Sequence, residues 1–203
     1  MKSQGFSLVE MVIVVAILGI ALGLGIPSYT QWIRNVQIRN HAESMQTGLM
    51  KARNEALRRN LIVSFWLVKS PNPDVLANDC TLYADADADS KGISWLVSIE
   101  SPHNLCASAI SDTASPFFLA KHAAGNGGDQ ATTNTGPAAA NVVRFNGLGQ
   151  VITSLADTIT SINIAGFNPT SEDKNYRITI NSGGMIKLCD PTITVTTDSR
   201  FCS

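Results

Sequence analysis

Glu10 is the residue of this chain that most demands a chemical account. It is the single charge in residues 6–26, FSLVEMVIVVAILGIALGLGI, a run of 21 residues. A carboxylate in a membrane segment costs about 2.5–3.5 kcal/mol at the helix centre, less near an end, unless it is paired or protonated. The nearest basic residues are Lys2 and Arg34, so no partner stands close by within the run and one has to come from another molecule. Cleavage ahead of Phe6 would create a free α-amino group four residues from Glu10, in the same layer of a packed assembly. The amino terminus of one subunit then neutralises Glu10 on its neighbour.

The remaining reactive side chains offer less. Cys80, Cys106, Cys189 and Cys202 are free to oxidise once the chain leaves the cytosol. Pairing Cys80 with Cys106 and Cys189 with Cys202 closes two local loops and is preferred; two other connectivities stay open on sequence alone. A bridge to Cys202 ties down a tail that would otherwise fray. Cys80, His103, Cys106 and His122 can be assembled into a metal set, but their spacing matches no compact zinc pattern. Asp85-x-Asp87-x-Asp89 invites calcium, yet an EF-hand loop here would have Ser90 for its glycine and Leu96 for its final glutamate. His41, His103 and His122 are scattered, and no nucleophile elbow, P-loop, dinucleotide fingerprint or HExxH occurs. Neither an enzyme nor a cofactor is expected.

These residues need elements to position them. As a helix, residues 6–26 cover roughly 31 Å, the thickness of a bilayer's hydrocarbon core. Lys2 on the leading side predicts a cytoplasmic N-terminus and a C-terminal part that crosses outward. A secretory signal peptide cut near Gly23-Leu24-Gly25 is the alternative, but the apolar run is too long for one. Gly19 and Gly23 make a GxxxG pair, and Pro27 predicts a kink or break. Helix-favouring sequence continues to Arg59. Ile38, Ala42, Met45, Leu49, Ala52 and Ala56 step by four and three onto one face, with Arg34, Arg39, Lys51, Arg53, Arg58 and Arg59 expected on a solvated face and His41 on the polar side. Asn60 is a natural stop.

Gly5-Phe6-Ser7-Leu8-Val9-Glu10 resembles the leader junction of type IV pilins and type II secretion pseudopilins. Residues 52–60, ARNEALRRN, followed by an apolar run resemble the GspH/FimT branch of minor pilins. The resemblance implies prepilin peptidase cleavage between Gly5 and Phe6, N-methylation of Phe6, a role for Glu10 in assembly and a helix kink at Pro27. It also implies partnership with other pilins in a helical filament, with an inner-membrane assembly platform and with the lipid bilayer.

Beyond residue 60 the periodicity changes. Residues 61–68, 93–99, 141–145, 159–164, 176–180, 185–188 and 192–197 are short β-favouring runs separated by Pro, Asn and Gly turn signals. Residues 123–141, poor in apolar side chains larger than Ala, read as a mobile surface loop. The expected fold is α+β and pilin-like: a long N-terminal helix packed on an antiparallel sheet domain. Its parts are a leader at 1–5, a transmembrane helix at 6–27, an amphipathic connecting helix at 28–60 and an exported domain at 61–203.

Composition fits this plan. Fifteen Lys+Arg against sixteen Asp+Glu give a net charge of −1, with 44% hydrophobic and 15% charged residues, so no general polyanion-binding surface is advertised. Some FimT-type minor pilins take up DNA through a Gly-Arg-x-Arg motif. Here the matching stretch is Gly184-Met185-Ile186-Lys187, which lacks both arginines. Arg177, Lys187 and Arg200 remain as nucleic-acid contacts, offset by Asp173, Asp190 and Asp198.

Overall fold

The computed structural model describes residues 7–84 and 91–202, the side chains of 21–28 and 126–127 excepted. One helix, α1 (Leu8–Arg59), runs for 52 residues and ends at Asn60, whose φ of 52° gives a left-handed C-cap. Arg58 and Arg59 complement the carbonyl end of the dipole, and both ion-pair with Glu55 at 2.7 and 2.9 Å. α1 continues through Pro27, so of the expected kink or break the break does not occur: a proline removes one hydrogen bond from the ladder, and long helical segments on either side carry it.

The β part forms two antiparallel sheets. The first contains β1 (Val63–Lys69), β2 (Thr81–Leu82), β3 (Ile93–Ser98), β4 (Phe118–His122) and, beyond the four-residue helix α2 (Gly125–Gly128) and β5 (Ala131–Gly136), strand β6 (Val142–Phe145). Its order is β2-β1-β3-β4, with β6 also paired to β1. The second sheet joins β5 to β7 (Ser161–Gly166), β8 (Tyr176–Ile180) and β9 (Ile186–Cys189) in that order.

Both faces of the first sheet are buried. Phe65, Leu67, Trp95 and Val97 face α1, while Trp66, Val68, Leu96 and Phe118 join Cys80 and Cys106 in a second apolar layer. A strand buried on both sides needs no polar alternation, which is why LIVSFWLV and ISWLVSI read as unbroken apolar runs. The Cys80–Cys106 disulfide holds the loops that cover the outer layer. The second sheet alternates instead: Ile162, Ile164, Ile178 and Ile180 pack inward and the residues between them are partly exposed.

Three sequence expectations change. Residues 123–141 contain α2 and β5 rather than a mobile loop. Ala131, Thr133 and Thr135 of β5 are buried; Thr133 O accepts the Tyr83 hydroxyl at 2.6 Å, and the Thr135 hydroxyl donates to Ala140 O at 2.8 Å. Small side chains satisfied by hydrogen bonds thus do what larger apolar anchors do elsewhere. Residues 192–197 form no strand: the Cys189–Cys202 disulfide turns the tail back, and it contributes only the Asp190–Phe201 bridge. His41 is not on a polar face but 5% exposed.

The six-residue stripe from Ile38 to Ala56 is fully buried. Gly48 explains how closely the sheet approaches it: a Cβ there would stand 2.8 Å from the rings of both Phe65 and Trp95. Overpacking of this kind costs about 1–3 kcal/mol, against about 1 kcal/mol that Ala gains over Gly in a helix. Gly48→Ala is therefore expected to lower stability by up to about 2 kcal/mol, read from urea unfolding of the detergent-solubilised full-length chain by tryptophan fluorescence. An unchanged or raised midpoint contradicts this packing.

Candidate functional site

The chemistry of the chain concentrates on α1, which is divided between two environments. From Ile38 onward one face is sealed by the sheets. From Leu8 to Ile20 the apolar side chains are exposed all round: Leu8 80%, Val15 65%, Ile17 61% and Ile20 65%. A helix that is apolar on every side belongs inside a larger apolar body, either a membrane or a protein assembly. Glu10 lies in this segment, exposed, and makes no hydrogen bond or ion pair among the described residues. Among the described residues no helix is long and apolar enough to cross a membrane; the predicted span extends past them, to Phe6 on one side and across 21–26 on the other. Gly5 and Phe6 lie outside the described residues, as do Asp85, Asp87 and Asp89, and the side chain of Pro27.

Between the two environments a polar clamp fastens the helix to the domain. Arg34 Nε lies 2.9 Å from Asp173 Oδ1, and the Asp173 side chain is only 1% exposed. Arg34 Nη2 reaches Asp173 Oδ2 at 3.0 Å and also donates to the carbonyls of Phe167 and Asn168. Gln31 Nε2 and the Thr170 amide donate to the same carboxylate at 2.8 and 2.9 Å, while Asn35 donates to Glu172 O and accepts the Lys174 amide. Burial raises the Asp173 pKa, but the Thr170 amide, Gln31 and Arg34 outweigh it and hold the carboxyl below its ordinary range. A Cβ at Gly166 would collide with Asp173 and Arg34, so the glycine keeps room for the pair. Arg34 is therefore a tether and not part of a solvated face. The same holds for Arg53, whose Nε donates to Gly149 O at 3.2 Å.

The family model described as type II transport protein GspH matches residues 41–184. The chain belongs to the GspH family. Residues 1–26 match the prokaryotic N-terminal methylation motif, which places the pilin-type signature on the same chain as the GspH domain. Two crystal structures of the type IV minor pilin FimU from Pseudomonas aeruginosa strain PAO1 are similar to it at 16% identity, with TM-scores of 0.42 and 0.43. Each covers 74% of this chain, and 90% and 87% of the respective FimU chains. No curated protein matches.

In this GspH-family chain the four cysteines form two disulfides, Cys80–Cys106 and Cys189–Cys202. Cys80 and Cys106 therefore have no thiolates to offer a metal, and no group of three metal-binding side chains forms among the described residues. Arg177 and Lys187 share the outer face of the second sheet, diagonal neighbours across the β8–β9 ladder. Arg177 Nε is held by Asn163 Oδ1 at 2.6 Å. Arg200 stands apart at the sheet edge, paired to Asp198 at 2.9 Å, beside a cavity of about 280 Å³ that it lines with Arg39, Lys174 and Asp190. Arg39 is in turn paired to Glu43 at 2.7 Å, so positive charge is locally compensated along this edge.

Sequence reasoning missed Gln31, Asn35, Gly166 and Asp173 as a clamp, because its halves lie more than 130 positions apart. It also missed the buried His41, whose Nε2 lies 3.3 Å from Thr133 Oγ1. Burial, with His122 nearby as a second positive charge when protonated, lowers the His41 pKa to about 4. Below its ordinary value of 6.5 the unfolded chain takes up a proton that the folded chain refuses. Stability is thus complete above pH 6.5 and is lost as pH falls toward 4, by up to about 1.4 kcal/mol per pH unit for the group; His122, also lowered by burial, acts in the same direction. His41→Gln should flatten that loss when urea midpoints at about pH 7 and about pH 4.5 are compared. An equal loss in both proteins contradicts the assignment.

Proposed function

We propose that this chain is a minor pilin or pseudopilin, a structural subunit that is held in the inner membrane before it joins a helical filament. The supporting observation is the contrast along one helix: a fully apolar, uncovered N-terminal segment with a lone carboxylate, and a C-terminal half sealed under its own sheets. In this reading prepilin peptidase cuts between Gly5 and Phe6, and Phe6 is N-methylated. Residues 6–27 span the membrane with the leader in the cytoplasm, and residues 61–203 stand in the periplasm, or outside the cell in a pilus. In the filament the apolar segments pack at the centre, and Glu10 pairs with a neighbour's amino terminus. Gly19, Gly23, Gly25 and Pro27 form the weakest stretch of the helical ladder, where α1 bends to fit that packing.

Two machines use such subunits, the type II secretion pseudopilus and the type IV pilus, and the family's description as a type II transport protein favours the first. DNA capture is the weaker reading. Phosphate-backbone binding depends on concentrated positive charge, and Arg39 and Arg200 are neutralised by acidic neighbours.

Mass spectrometry of the mature protein tests the proposal. The N-terminal peptide is expected to begin at Phe6 and to be one methyl group heavier than the unmodified peptide. A protein that retains Met1, or begins near Ile26, overturns it.

A further inference from the structure

Tyr29 and Trp32 stand one helical turn apart on the same side of α1, with ring centroids 6.0 Å apart and planes inclined by 29°. Each is 61% exposed, whereas the chain's other two tryptophans, Trp66 and Trp95, are 6% and 7% exposed. The domain's core does not account for the pair. Below it lies the uncovered apolar segment; Gln31 between the two rings and Arg34 and Asn35 just beyond them enter the polar clamp. The rings therefore mark the boundary between the apolar and polar parts of the helix.

Their chemistry suits such a boundary. Tyr and Trp combine an apolar body with one polar tip and concentrate at the headgroup level of bilayers, where both are accommodated. Along an α-helix Tyr29 and Trp32 lie roughly 32 and 36 Å beyond Leu8. A bilayer's hydrocarbon core is about 30 Å thick, and about 40–45 Å with its interfacial layers. With Leu8 at the inner edge of the core, both rings fall in the interfacial layer on the domain's side.

We infer that Tyr29 and Trp32 form an interfacial anchor that docks in the lipid headgroup layer and sets the depth of the unassembled chain in the membrane. This rests on the reading that residues 6–27 span the bilayer. Because Arg34 is ion-paired to Asp173 two residues beyond Trp32, the anchor also fixes the height of the domain. The loop that carries Asn168, Thr170 and Glu172 then stands at the headgroup surface.

The test uses the full-length chain in phosphatidylcholine vesicles whose acyl chains are brominated either near the headgroup or near the terminal methyl. Flotation with the vesicles is scored first. The Trp32 signal is the difference between wild type and Trp32→Phe, a substitution at an exposed site. Shallow bromines are expected to quench it at least about twofold more than deep ones. Equal lack of quenching in chains that float shows the rings in water or against another subunit, and overturns the anchor while leaving the span intact. Strongest quenching by deep bromines overturns the depth assignment. Failure to float overturns the span itself, and the anchor with it.

Discussion

A carboxylate in the otherwise apolar N-terminal segment of α1 sets the main constraint on this molecule. Glu10 projects from a segment whose neighbours are uncovered on every side, and among the described residues no counter-charge meets it. Ionised and unpaired in hydrocarbon it is costly; in the proposed filament, pairing with a positive group from another copy makes it a register mark that favours one axial offset between neighbouring helices. Apolar packing alone is non-directional and would accept many offsets. In the proposed filament the charge adds the specificity that apolar packing lacks.

The rest of the fold presents that helix in a defined orientation. Small residues on the buried side of α1 let the sheets close tightly on its second half, and Gly48 beside the stripe admits the rings of Phe65 and Trp95. The Arg34–Asp173 clamp carries the connection toward the uncovered apolar segment of α1. It is nearly dry on the carboxylate side, so breaking one partner leaves a poorly solvated charge, which is a strong reason for both to stay together. The two disulfides act away from the clamp, one within the outer apolar layer of the first sheet and the other at the tail. Both close local loops, of 26 and 13 residues' separation.

Legibility in the sequence followed the physics of burial. The helical stripe was readable because a 3.6-residue period survives when one face is sealed. β1 and β3 of the first sheet were readable as apolar runs because both of their faces are buried, whereas β2 and β4 of the same sheet were not among the runs read. β5 was not, since Ala131, Thr133 and Thr135 earn their place through size and hydrogen bonding, which hydropathy does not register. Residues 192–197 misled in the opposite way: high β-propensity without a partner strand gives no strand. Arg34 and Arg53 read as solvated charges because their acceptors are remote in sequence and assembled only by the fold. Glu10 needed no structure to stand out, whereas its assembly role draws on the family resemblance as well as on its isolation.

Whether Glu10 pairs with a neighbouring subunit is read from the incorporation of the chain into filaments. Glu10→Ala should still be cleaved and methylated and should still insert in the membrane, because removing a charge from an apolar helix eases insertion. Its share in sheared or cross-linked filaments should nevertheless fall at least about tenfold, the loss of about 1.4 kcal/mol or more of pairing. Undiminished incorporation of the processed variant would contradict the account.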